Sequence, residues 1–166
     1  MSDNKRILIA ADASDASRRA VNYVAEVIGN RPGYHVGLVH VELPPRMLEW
    51  GGAEDPAVEA SVSAERAREY RGMEQEAVDK GRAMLRGLLD GLAKRGTDVT
   101  ALLVKFDEPL DPEAVARDVL KTAREKDYGT VVVGRKSFSW LERMMHHHVG
   151  EELVRTGEGK AIWVIE

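Results

Sequence analysis

Apolar positions recur along this chain in two rhythms. Short unbroken apolar runs alternate with longer stretches in which apolar residues return every three or four positions. Ile7 to Ala11 is the first run, ending at Asp12, and Val21, Val24, Ala25 and Ile28 then follow at helical spacing. Ser14 is placed to cap that helix, because its hydroxyl can accept a free backbone N–H, and Gly29 with Pro32 supplies the stop. His35 to Leu43 predicts a second strand, closed by Pro44 and Pro45, which have no N–H to give a ladder. Arg46 to Ser63 mixes Gly51, Gly52 and Pro56 with scattered charges and reads as one long connection. From Ala64 to Arg95 the pattern is helical, with Ala77, Met84, Leu85, Leu88 and Leu92 on one stripe and Gly96 at the end. Met73 and Met84 read as core filler on that stripe.

Val99 to Phe106 predicts a third strand. Asp111, Pro112 and Glu113 then suit a helix start: Asp caps, Pro fits the first turn and Glu favours the positive dipole end. Ala116, Val119, Leu120 and Ala123 form its buried face. Tyr128 to Gly134 is a continuous apolar strand of the kind covered on both faces. Leu141, Met144 and Met145 suggest one helical turn, Leu153 and Val154 another, and Ala161 to Glu166 a last strand.

Strands alternating with helices predict one α/β domain over residues 1–166, a doubly wound parallel sheet of five strands with helices on both faces. Ligands of such sheets bind beyond the carboxyl ends of the strands, where strand order reverses. Asp12, Glu42, Phe106 and Gly134 stand at those ends. Gly134 lets the chain turn sharply and bring bare backbone to a ligand.

Composition narrows the field. Without cysteine the chain has no disulfide, thiol nucleophile or thiolate metal site, and a net charge of -4 with mixed signs gives no field for gripping phosphate backbones. The expectation is a cytoplasmic protein with no membrane span and no nucleic-acid partner. Neither G-x-G-x-x-G, G-x-S-x-G nor H-E-x-x-H occurs, and Gly159 with Lys160 imitates only the end of a Walker loop. An enzyme is therefore not expected.

Ile7 to Ser14 (ILIAADAS), Gly37 to Val41 (GLVHV), the long second helix and Tyr128 to Ile165 together resemble the universal stress protein family, along essentially the whole chain. The resemblance implies a Rossmann-like sheet of order 3-2-1-4-5 and, as in many members, a homodimer through the final strand. It also implies an ATP site with Asp12 near the ribose or metal and Val41 near adenine. Gly134, Ser137, His147, His148 and Val149 would line the phosphate loop. The family's segment reads G-x2-G-x9-G-(S/T); here Gly134 matches, whereas Ser137 and His147 replace the second and third glycines and His148 the hydroxyl residue. Spacing is kept while the backbone freedom of glycine is lost, so ATP binding is expected to be weak or absent.

Each candidate has a plainer reading. Asp12 can simply cap the first helix. His40, in an apolar strand without a nucleophile motif, reads as a structural histidine. His147 with Glu151, or His148 with Glu152, could share a helical face toward a metal, yet consecutive histidines diverge and no ligand set is completed, so a solvated helix start is expected. The resulting expectation is a non-enzymatic stress-response or signalling protein, dimeric and acting through protein partners. The alternative is an ATP-binding regulator using the Asp12 and Gly134 loops.

Overall fold

A computed structural model describes residues 3–42, 64–105, 112–134 and 148–166. The strands are β1 (Asp3–Ala10), β2 (His35–Glu42), β3 (Asp98–Lys105), β4 (Tyr128–Gly134) and β5 (Ala161–Ile165). The helices are α1 (Asp15–Ile28), α2 (Ala64–Ala93), α3 (Pro112–Glu125) and α4 (His148–Thr156). All neighbouring strands pair in parallel, in the order β3-β2-β1-β4-β5. This is the doubly wound sheet expected from the alternation of rhythms. Predicted boundaries shift by a few residues: β1 begins at Asp3 and α2 ends at Ala93. Leu43, Phe106, Asp111, the Arg46 to Ser63 connection and the Leu141 to Met145 turn lie outside the described residues.

Pleating sends alternate side chains to opposite faces. Ile7, Ile9, Leu38 and Val132 pack against Ala20, Val21 and Val24 of α1 and Leu85 and Leu92 of α2. Leu8, Ala10, Val39 and Val133 pack against Val119 and Leu120 of α3 and Leu153 of α4. β4 is buried at all seven positions, as a strand covered on both faces must be. The helix caps obey local chemistry. Ser14 accepts from the Ser17 N–H at 3.2 Å, and Gly29 ends α1 at φ +57°, a conformation that suits glycine. Two details of packing depart from the sequence expectation. Met73 is exposed, and Val78 rather than Ala77 is the fully buried residue of its turn. Trp163 is half-buried, set edge-to-face on Tyr23 at 6.4 Å.

The amino-terminal edge of the sheet is locked by side chains from four strands. Tyr128 crosses Gly37 on the α3 face, its hydroxyl 3.3 Å from Thr100 Oγ1. Its ring is stacked on His35 and lies 5.0 Å from the Arg6 guanidinium. His35 in turn bonds Asp98 through Nδ1 at 2.9 Å and Thr100 through Nε2 at 3.1 Å. A register shift between Asp3 and Ile7 in the β1–β4 ladder accompanies this placement of Tyr128.

Candidate functional site

At the opposite, carboxyl edge the strand order reverses between β1 and β4, and the register sets the levels. Ala10 pairs with both Val39 and Val133, so Asp12, Val41 and Gly134 follow within two residues of one row. The end of β1 is pinned to β2 twice: the Ala11 N–H donates to the Val39 carbonyl at 2.8 Å, and His40 Nδ1–H donates to the Ala11 carbonyl at 2.9 Å. His40 thus has the structural role expected of it.

Asp12 is 5 % exposed and builds the turn after β1. Its Oδ1 accepts from the Ser14 N–H at 2.9 Å and from the Ser17 hydroxyl at 2.7 Å, while its own N–H donates to Ser17 Oγ at 2.9 Å. That closed set places the carboxylate at the amino end of α1, where the helix dipole favours negative charge. Oδ2 makes no hydrogen bond among the described residues. One oxygen serves the fold, and the other keeps its acceptor capacity. Sequence reading identified Ser14 and Asp12 but passed over Ser17, which is fully buried. The signal was present as Ser14-x-x-Ser17, a capping-box spacing in which the third helical residue reaches back to a backbone donor.

Val41 is buried in the core on the α3 face, beside Ala10, Val133 and Val115, and gives this edge an apolar floor. Gly134 closes β4 one residue beyond Val133. His148 and Val149 are the first two residues of α4, so a helix amino terminus with unpaired backbone donors follows the loop. Ser137 and His147 lie outside the described residues. The structure therefore brings Asp12, Val41 and Gly134 to one end of the sheet. Among the described residues no three histidine or carboxylate side chains gather as a metal would require, and no helix is long and apolar enough to cross a membrane.

An all-parallel sheet whose order reverses between β1 and β4, with an acidic residue after β1 and a glycine closing β4, is of the Rossmann-like class. Comparison with known proteins narrows this class. The model of the universal stress protein family matches residues 3–158, and the chain belongs to that family. No curated protein matches significantly. Among solved structures, a universal stress protein family member from Burkholderia pseudomallei is 19% identical with a TM-score of 0.67, over 98% of this chain and 96% of that one. The universal stress protein of Archaeoglobus fulgidus in complex with dAMP is 20% identical, TM-score 0.60, over 97% of each chain. A family protein from Arabidopsis thaliana with AMP bound is 17% identical, TM-score 0.58, over 96% of this chain and 90% of that one. At these identities the likeness establishes the fold.

Proposed function

We propose that this protein is a non-enzymatic, dimeric stress-response or signalling module whose switch-point crevice binds adenine nucleotides weakly. One observation carries the reading: in the loop between Gly134 and α4, the positions of two glycines and a hydroxyl residue are taken by Ser137, His147 and His148. A side chain at a glycine position fills the space a phosphate needs, and it is strained wherever φ is positive. The bound dAMP and AMP of the Archaeoglobus and Arabidopsis relatives support a nucleotide as the ligand class. The available Oδ2 of Asp12 favours a second reading, an ATP-binding regulator. Calorimetric titration with ATP and magnesium separates the two. The expected dissociation constant is weaker than about 100 µM, and Ser137→Gly, His147→Gly and His148→Ser combined should tighten it. A wild-type constant near 1 µM or below, on the order of -8 kcal/mol, establishes the regulator instead.

The dimer is read from the edge strand β5. Val164 is exposed on it, Val154 is exposed on the adjoining α4, and Tyr23 and Val27 flank it from α1. An unpaired edge beside apolar side chains favours pairing with a second copy. Val164→Lys should shift sedimentation toward monomer, and a wild-type chain that stays monomeric at about 100 µM, well above the range of ordinary stable dimers, refutes the pairing.

A further inference from the structure

The α1 face of the sheet holds a hollow of about 220 Å³ near the amino ends of the strands, far along β1 from Asp12. Its origin is legible in the register. Ile9, Val132 and Trp163 fill one row across β1, β4 and β5, whereas the row before it is Ile7, Thr130 and Ala161. Two small residues toward the edge leave space that α1, ending in Val27 and Ile28, does not fill. Arg31, Tyr34 and Trp163 complete the lining.

Among the described residues Arg31 is the one charged side chain of this lining. The Arg31 guanidinium, the Tyr34 hydroxyl and the Trp163 indole N–H make no hydrogen bond or ion pair among the described residues, and no carboxylate lines the hollow. Three donors around an apolar floor suit an acceptor-rich, anionic head on an apolar body. The carboxyl end of α1 lies close by and opposes an anion, an effect reduced where its terminal carbonyls are hydrogen-bonded. Ala25 accepts from the Gly29 N–H, Ile28 from the Arg31 N–H and Gly29 from the Thr97 hydroxyl.

We propose that this hollow is a binding site for a compact monocarboxylate with a single ring or a branched alkyl body, its carboxylate held by Arg31 and its body on Ile7, Ala161 and Trp163. A closed cavity of about 150 Å³ admits a benzene ring, so the volume suits one ring with its head at the open side. The site is separate from the switch-point crevice, at the other end of the same sheet.

The test is an NMR titration of the full chain with benzoate, following the indole N–H of Trp163 assigned by its loss in Trp163→Phe. Saturable shifts are expected, with a dissociation constant on the order of a millimolar for a ligand of this size. Benzamide, equal in shape and uncharged, should bind about tenfold more weakly, as should benzoate to Arg31→Gln, since each removes a charge-assisted bond. Ala161→Leu fills the hollow and should abolish the shift while the thermal midpoint stays at or above wild type. If Ala161→Leu lowers the midpoint sharply, Ala161→Val replaces it with the same expected loss of binding. No saturation up to about 20 mM, far above the millimolar range expected, overturns the proposal. So does equal binding of benzamide and benzoate, or displacement of benzoate by AMP, which would place it in the crevice.

Discussion

Replacing Gly37 by alanine sets two physical effects against each other, and their magnitudes decide the outcome. By local propensity, alanine within a strand should stabilise by roughly 0.5–1 kcal/mol, since glycine loses more backbone entropy on folding. Packing opposes it. A methyl group at Gly37 would stand 2.5 Å from Tyr128 Cζ and 2.9 Å from Cε1, and closer still to the hydroxyl oxygen. The ring cannot move aside cheaply. Tyr128 is 2% exposed, stacked on His35, bonded to Thr100, and its carbonyl accepts from Lys160 Nζ at 2.6 Å. Forcing a methyl into a packed site costs about 1–3 kcal/mol. Loss of the hydroxyl bond adds about 0.5–1.5 kcal/mol, giving a net destabilisation centred on about 2 kcal/mol after the propensity gain. For a chain of this length that lowers the thermal midpoint by about 4–8 °C. Urea unfolding followed by far-UV circular dichroism measures it directly. The specific claim is the pairing with Tyr128, so Tyr128→Leu should remove most of the alanine penalty, with a coupling energy of at least about 1 kcal/mol in the double-mutant cycle. Gly37→Ala within about 0.5 kcal/mol of wild type, or additive effects in the cycle, refutes the reasoning.

Three other substitutions probe separate links. Ser17→Ala leaves the Asp12 N–H without its acceptor and frees Asp12 Oδ1 of its hydroxyl donor, and should cost about 1–3 kcal/mol in urea unfolding. Gly157→Ala brings a methyl to 2.5 Å from the Leu153 carbonyl and 2.9 Å from Ile162 Cδ1. A backbone contact cannot rotate away, so a loss of about 1–3 kcal/mol is expected, localised by hydrogen exchange to α4 and β5. On the surface of α2, the Lys80 ammonium donates to the Glu76 carboxylate at 2.7 Å and with its charge holds that carboxyl below its ordinary value. Its contribution is present above the unfolded carboxyl pKa and fades as pH falls through the lowered folded value. An NMR titration should therefore find the Glu76 carboxyl at higher pH in Lys80→Met than in wild type, with no measurable change in unfolding midpoint at neutral pH for so exposed a pair.

What the sequence made legible is what local chemistry determines. The apolar run Tyr128 to Gly134 announced a strand covered on both faces, Ser14 and Gly29 marked the ends of α1, and Pro112 took the first position of α3. What it hid depends on register between strands distant in the chain. Tyr128 lies over Gly37 because β1 stands between β4 and β2 and because the β1–β4 ladder shifts near its start. Neither fact has a local signature. The same holds for the hollow, since Thr130 and Ala161 are unremarkable alone and leave space only as partners in one row beneath the end of α1. Val41 illustrates the boundary: resemblance placed it near a nucleotide base, and alternation with Val39 placed its side chain in the α3-side core.

The hydrogen bonds of Asp12 leave room for a binding role beside its structural one. A carboxylate has acceptor capacity on two oxygens. The Ser14 N–H and the Ser17 hydroxyl converge on Oδ1 alone, which fixes the side-chain torsion and aims Oδ2 without consuming it. A ligand contact there would then be made by a group already ordered, so little side-chain entropy remains to be lost on binding. Removing the carboxylate and removing its positioning residue should consequently differ. Asp12→Asn keeps an acceptor for both donors and preserves most stability, while exchanging the charge offered to a ribose hydroxyl or magnesium for a neutral group. Ser17→Ala keeps the charge and loosens the turn. Measured side by side, Asp12→Asn should weaken Mg-ATP binding more than it lowers the urea midpoint, and Ser17→Ala should do the reverse. Matching losses of stability and nucleotide affinity in both variants would show that Asp12 only builds the turn.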